Sequence, residues 1–188
     1  MRTAVWPPMS PREVNKMFTM VVGGAASGKS EYAESLVLHG PRENRIYIAT
    51  MEPFDQECLR RIEKHRAMRA RKGFQTVECY RDLSSVRVSR DSTVLLECLG
   101  NLCANELYGP SGDQAEEAIF SGVQSLLSQC AHLILVSNEV CSGGTKYAGD
   151  TLRYLKLMGR LSCRLACLAD HLCEVVCGVP VWHKGGPL

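Results

Sequence analysis

Residues 17–38 read Met17-Phe18-Thr19-Met20-Val21-Val22-Gly23-Gly24-Ala25-Ala26-Ser27-Gly28-Lys29-Ser30-Glu31-Tyr32-Ala33-Glu34-Ser35-Leu36-Val37-Leu38. The apolar run 17–22 reads as a buried strand, and the segment from Glu31 has apolar residues at helical spacing. Between them, residues 23–30 fit the phosphate-binding pattern G-x-x-x-x-G-K-[ST], and strand, glycine loop, helix is the context that pattern requires. Gly23, Gly24 and Gly28 let successive backbone N–H groups turn inward toward phosphate oxygens, with Ala25, Ala26 and Ser27 completing the loop. The opening helix adds the positive end of its dipole. Lys29 is expected to neutralise the outer phosphates, and the Ser30 hydroxyl to ligate Mg²⁺.

Outward from the loop, strands and helices alternate. Residues 45–50 read as a strand and 55–71 as a charged helix whose thin apolar side is Cys58, Leu59, Ile62 and Ala67. Residues 75–79, 93–98, 132–137 and 172–176 read as strands, the last one final before Gly178 and Pro180. Residues 113–130 and 147–170 read as helices. Continuous apolar strands alternating with helices imply an α/β fold: a P-loop NTPase-like single domain, mainly parallel sheet with helices on both faces. Residues 1–16, with Pro7, Pro8 and Pro11 and no periodicity, are expected to be a mobile N-terminal leader, and 17–188 the domain.

Composition excludes some classes. A chain of 188 residues at net charge +2 gives no polyelectrolyte argument for nucleic acid. The basic cluster Arg60, Arg61, Lys64, Arg66, Arg69, Arg71 and Lys72 is local, either a solvated helix face or a polyphosphate-binding edge. No run approaches a membrane span and no signal core opens the chain, so the expected location is the cytoplasm. Ten cysteines form no C-x-x-C pair and are expected to be reduced, Cys98, Cys173 and Cys177 acting as small hydrophobes in strands. Cys163, Cys167 and His171 would share a face if the helix ran that far, and a packed face accounts for them better than a metal.

The chemistry beyond the loop rests on carboxylates and one histidine. Glu97 ends the run Val94-Leu95-Leu96, where a carboxylate is costly unless it meets a cation; a role holding Mg²⁺ stands beside simple emergence into solvent. Asn138 and Glu139 fall on the same carboxyl edge, where open α/β sheets bind ligands. His65, flanked by Lys64 and Arg66, is either a plain surface histidine or an imidazole kept neutral and nucleophilic by its cationic neighbours, and spacing alone does not decide between them.

In this order the motifs resemble a known family: Gly-Gly-Ala-Ala-Ser-Gly-Lys-Ser at 23–30, Tyr47-Ile48-Ala49-Thr50, Arg61-Ile62-Glu63-Lys64-His65-Arg66 with Arg69, Thr76-Val77-Glu78-Cys79, Leu95-Leu96-Glu97-Cys98 and Ser137-Asn138-Glu139-Val140. The chain resembles, from about residue 17 to 179, the bifunctional adenosylcobinamide kinase / adenosylcobinamide-phosphate guanylyltransferase family of cobalamin biosynthesis. The resemblance implies phosphorylation of the aminopropanol hydroxyl of adenosylcobinamide by ATP or GTP, then transfer of GMP from GTP to that phosphate through a guanylylated histidine, His65 by position. It implies nucleotide contacts at residues 23–30, at Ala49, Thr50 and Met51, at Arg66 and Arg69, and at Glu78 and Glu97. It also implies a trimer. The sequence departs from the family at Ala26, where arginine is usual, at Phe74, at Cys141, at Leu155 and Lys156, and at Ser162 and Cys163. These departures leave open a member with one of the two activities or a variant corrinoid substrate. A nucleotide-binding regulatory protein and a generic small-molecule kinase are the alternatives from other classes.

Overall fold

The computed structural model describes residues 16–39, 44–53, 56–140 and 146–187. Five strands carry the expected runs: β1 (Met17–Gly23), β2 (Arg45–Ala49), β3 (Phe74–Glu78), β4 (Thr93–Glu97) and β5 (His132–Asn138). β6 (His171–Val176) and β7 (Val179–Lys184) follow. The helices are α1 (Lys29–His39), α2 (Gln56–Arg71), α3 (Leu99–Leu107), α4 (Ala115–Gln129) and α5 (Gly149–Leu168).

The seven strands form one sheet in the order β3-β2-β4-β5-β1-β6-β7, parallel except for β7. Alternate residues of the apolar runs serve opposite faces. Val94 and Leu96 of β4, with Leu133 and Leu135 of β5, enter the core beneath α3, α4 and α5. Leu95, Ile134 and Val136 enter a smaller core under α1, with Ala33 and Val37. Burial on both faces explains why these strands read as unbroken hydrophobic stretches.

The sequence assigns nothing to residues 99–107, yet α3 lies there and buries Leu99, Leu102, Cys103 and Leu107. Gly100, Asn101 and Asn105 mask its periodicity. Residues 172–176 are not the final strand. Cys177 (φ 51°) and Gly178 (φ 79°) turn the chain into the antiparallel β7. Pro180 is tolerated because β7 is the sheet edge, where a missing ladder donor costs little. Cys177 is therefore exposed in a turn, and Cys98 follows β4 as the residue capping α3.

Part of the apolar side expected for α2 faces solvent: Leu59 is 40% exposed and Ala67 is exposed, while Ile62 is half-buried and the Cys58 side chain lies outside the described residues. Of its described side chains, the buried one is Arg69. α5 ends at Leu168, so His171 stands in β6 and does not share a helix face with Cys163 and Cys167. No cluster of metal-ligating side chains occurs among the described residues, and no described helix is long and apolar enough to cross a membrane. The leader, apart from Lys16, and Cys141 lie outside the described residues.

Candidate functional site

Parallel strands end at one edge of the sheet, and register places the motif residues there. Gly23 stands beside Asn138, and Ala49 beside both Glu78 and Glu97. Glu139 N–H donates to Gly23 O at 2.9 Å, tying the end of β5 to the start of the loop.

The loop is shaped by contacts that leave no room for side chains at Gly23. A Cβ there would lie 2.5 Å from Ser27 Oγ and 2.7 Å from Val175 O. Gly28 has φ +89°, open to glycine at no steric cost. Ala26, the departure from arginine, is exposed at φ +55°. Ser27 Oγ is buried without a hydrogen-bond partner, while Ser27 O accepts from Gly178 N at 2.8 Å. Lys29 and Ser30 fall inside the first turn of α1 rather than before it. Lys29 Nζ, largely buried, donates to Gly24 O at 3.0 Å, so the ammonium closes over the loop backbone.

Ser30 Oγ donates to Glu97 Oε1, and Tyr47 OH donates to Glu97 Oε2 at 2.8 Å. A hydroxyl and a carboxylate in contact are a hard-oxygen donor pair of the kind Mg²⁺ takes beside nucleotide phosphates, so the residues present fit that ion. Tyr47 is 6% exposed. Burial, then the neighbouring Glu97 charge, drives its phenol far above the ordinary range against the opposing pull of Arg69, so it stays a proton donor.

Next to Glu97 a cavity of about 140 Å³ opens, lined among others by Ala49, Met51, Arg69, Glu78, Tyr80 and Asn101. Five of the expected nucleotide contacts (Ala49, Met51, Arg69, Glu78 and Glu97) thus share one cavity. The Arg69 guanidinium lies 3.8 Å from the centroid of the Tyr47 ring. Arg66 approaches from outside and pairs with Glu78. Thr50 is fully buried and turned away: its hydroxyl donates to Cys98 O at 2.9 Å and accepts from Cys98 N at 2.7 Å. His65 lies on α2 one turn before Arg69.

Sequence reasoning assigned no role to Tyr47, Asn101 or Asn105. Asn105 Nδ2 donates to Thr50 O and Tyr80 O, both at 2.9 Å, and so holds the loops after β2 and β3 together. The helix carrying Asn101 and Asn105 had no legible pattern, whereas Tyr47 was visible beside the Ile-Ala-Thr motif and lacked only its partners.

A glycine loop between a central parallel strand and a helix, with a carboxylate from β4, one strand removed from β1 across β5, against the Ser30 hydroxyl, defines a P-loop nucleotide-binding protein. The fold is similar to that of a solved structure, the flagellar accessory protein FlaH from Methanocaldococcus jannaschii, which superposes with TM-score 0.50 at 12% identity, covering 90% of this chain and 79% of that one. Sequence narrows the class further. The profile of the cobinamide kinase / cobinamide phosphate guanyltransferase family matches residues 19–182. The bifunctional adenosylcobalamin biosynthesis protein CobU of Escherichia coli is 34% identical over 89% of this chain and all of its own length. Its Salmonella typhimurium counterpart is 33% identical over the same shares. The chain belongs to the cobinamide kinase / cobinamide phosphate guanyltransferase family.

Proposed function

We propose that this chain phosphorylates the aminopropanol hydroxyl of adenosylcobinamide with ATP or GTP, and then transfers GMP from GTP to the resulting phosphate, in cobalamin biosynthesis. The observation carrying this reading is the meeting of Ser30, Glu97, Arg69 and Glu78 at one sheet edge, within a family of that activity.

In both steps the loop N–H groups of residues 23–30 and the Lys29 ammonium would hold the phosphates and offset charge that builds during transfer. Mg²⁺, held by Ser30 and Glu97, would supply Lewis-acid polarisation of the phosphate oxygens. In the kinase step the acceptor hydroxyl oxygen bonds the γ-phosphorus, the bond to the bridging oxygen breaks, and the hydroxyl proton leaves. In the second step an imidazole nitrogen of His65 bonds the α-phosphorus of GTP and pyrophosphate departs. A phosphate oxygen of the phosphorylated corrinoid then takes the GMP, breaking the P–N bond and regenerating His65. Ala49, Met51, Arg66, Arg69 and Glu78 would frame the nucleotide, with the fully buried Thr50 bracing them from behind through its bonds to Cys98 and Glu97. The cavity beside Glu97 is smaller than the ~300–1,000 Å³ typical of a pocket enclosing a whole drug-sized ligand. It would therefore take the nucleoside end, leaving the phosphates on the loop.

We also infer a cytoplasmic homotrimer, for which light scattering in solution should give three times the 20.8 kDa chain mass. The departures Leu155, Lys156, Ser162 and Cys163 all lie on α5 and none is fully buried, so they alter a surface rather than the core.

The test is mass spectrometry of the purified protein after incubation with GTP and Mg²⁺, beside His65→Ala. A GMP adduct on the parent and none on the variant is the expected result. No adduct on a parent that still binds GTP would overturn the guanylyl step, and phosphate transfer from ATP to cobinamide would then be the activity to assay.

A further inference from the structure

Tyr47 meets the site through two groups, its ring and its hydroxyl. The ring lies in β2, between β3 and β4, within the smaller core. It meets Phe74 edge-on, with centroids 6.0 Å apart and planes at 87°. A phenylalanine would fill that space equally well. The hydroxyl is what needs explaining, because a buried hydroxyl must find a partner.

That partner is Glu97. One carboxylate oxygen accepts from Ser30 and the other from Tyr47 at 2.8 Å, so the carboxylate is gripped from both sides. Glu97 therefore has its orientation set by Tyr47, with Oε1 presented to the loop serine. The other face of the same ring is the platform for Arg69, 3.8 Å above it. Arg69 is 6% exposed and its Nε has no hydrogen-bond partner. An unpartnered buried guanidinium N–H beside the cavity is poised for an anionic ligand atom.

We propose that Tyr47 is a positioning residue that aligns both ends of the nucleotide site: its hydroxyl orients Glu97 for the Mg²⁺ that accompanies the phosphates, and its ring orients Arg69 for the nucleotide. The inference rests on the nucleotide reading above. It adds that the metal and the nucleotide contacts are set by one side chain through two separable groups.

The separation gives the test. Tyr47→Phe keeps the ring, its packing on Phe74 and the stacking platform under Arg69, and deletes the hydroxyl with its grip on Glu97 and its polar contact with Arg69. Mn²⁺, as an EPR-visible substitute for Mg²⁺, is titrated into the full chain with saturating GTP. Affinity for a fluorescent GTP analogue is measured separately in EDTA. In Tyr47→Phe the Mn²⁺ Kd should rise about tenfold, the usual scale for removing a group that orients a metal ligand. Metal-free affinity for the GTP analogue should stay within twofold. In Tyr47→Leu, which also removes the platform, metal-free affinity should fall at least fivefold. Mn²⁺ affinity of Tyr47→Phe within twofold of the parent would overturn the proposal. So would equal loss of both affinities in Tyr47→Phe, which would reduce the hydroxyl to a folding role. A parent that binds the GTP analogue but gains nothing from Mn²⁺ would overturn the metal role of Ser30 and Glu97 and this inference with it. Neither readout uses cobinamide or His65, so both activities could fail while the Tyr47 result stands.

Discussion

Lowering the pH should destabilise this fold through one histidine far from the nucleotide edge. His132 opens β5, its Nε2 2.8 Å from Thr19 Oγ1. Burial pushes its pKa down from the ordinary 6.5 to about 4, helped by the neighbouring His171 and opposed by Asp170. In the unfolded chain the same imidazole takes up a proton near pH 6.5. Between the two values the unfolded state binds one more proton than the folded one, so this contribution is full above pH 6.5 and is lost as pH falls to about 4. At about 1.4 kcal/mol per unit, the interval corresponds to about 3 kcal/mol, of which about 2 kcal/mol is already lost at pH 5. Urea unfolding of the parent and of His132→Gln at pH 7, 6 and 5 isolates the effect, because the other titrating groups are common to both. The stability difference between the two proteins should shift by about 2 kcal/mol between pH 7 and pH 5, against the parent. Parallel loss of stability in parent and variant would refute the argument and mean that His132 is as easily protonated folded as unfolded.

Two further substitutions probe the site's framework. Gly23→Ala places a methyl group 2.5 Å from Ser27 Oγ and 2.7 Å from Val175 O. It should cost about 1–3 kcal/mol of stability, the scale of overpacking, and abolish GTP binding measured by calorimetry as the loop is forced open. Thr50→Val removes the hydroxyl that serves both Cys98 N and Cys98 O. It should lower the urea-unfolding free energy by about 2 kcal/mol, because the Cys98 N–H loses its partner, whereas Cys98 O keeps the Leu102 N–H.

Local chemistry was legible and long-range pairing was not. The strand, loop and helix at 17–39 could be read because glycine and lysine positions, apolar runs and helical spacing are all local properties. Glu97 was legible as a charge at the end of an apolar run. Its grip by Tyr47 depends on the register of β2 against β4, which no local pattern encodes. α3 stayed hidden because its polar residues are buried by duty rather than by composition: Asn105 faces inward to bind two loop carbonyls. β7 stayed hidden because Pro180 argues against a strand everywhere except at an edge. The inward side of α2 was legible only in part: Ile62 is half-buried, but the buried side chain among those described is Arg69, its guanidinium stacked on a ring, while Leu59 and Ala67 face solvent.

The hydrogen bond from Gly178 N to Ser27 O joins the phosphate loop to a turn about 150 residues further along the chain. During synthesis the loop sequence is made early, yet the turn that supports its backbone is translated long after it. A nascent chain that has emerged only as far as α5 carries the whole loop motif without that support. Nucleotide would thus act as a ligand of the finished fold and stabilise it by mass action, rather than guide the early chain toward it.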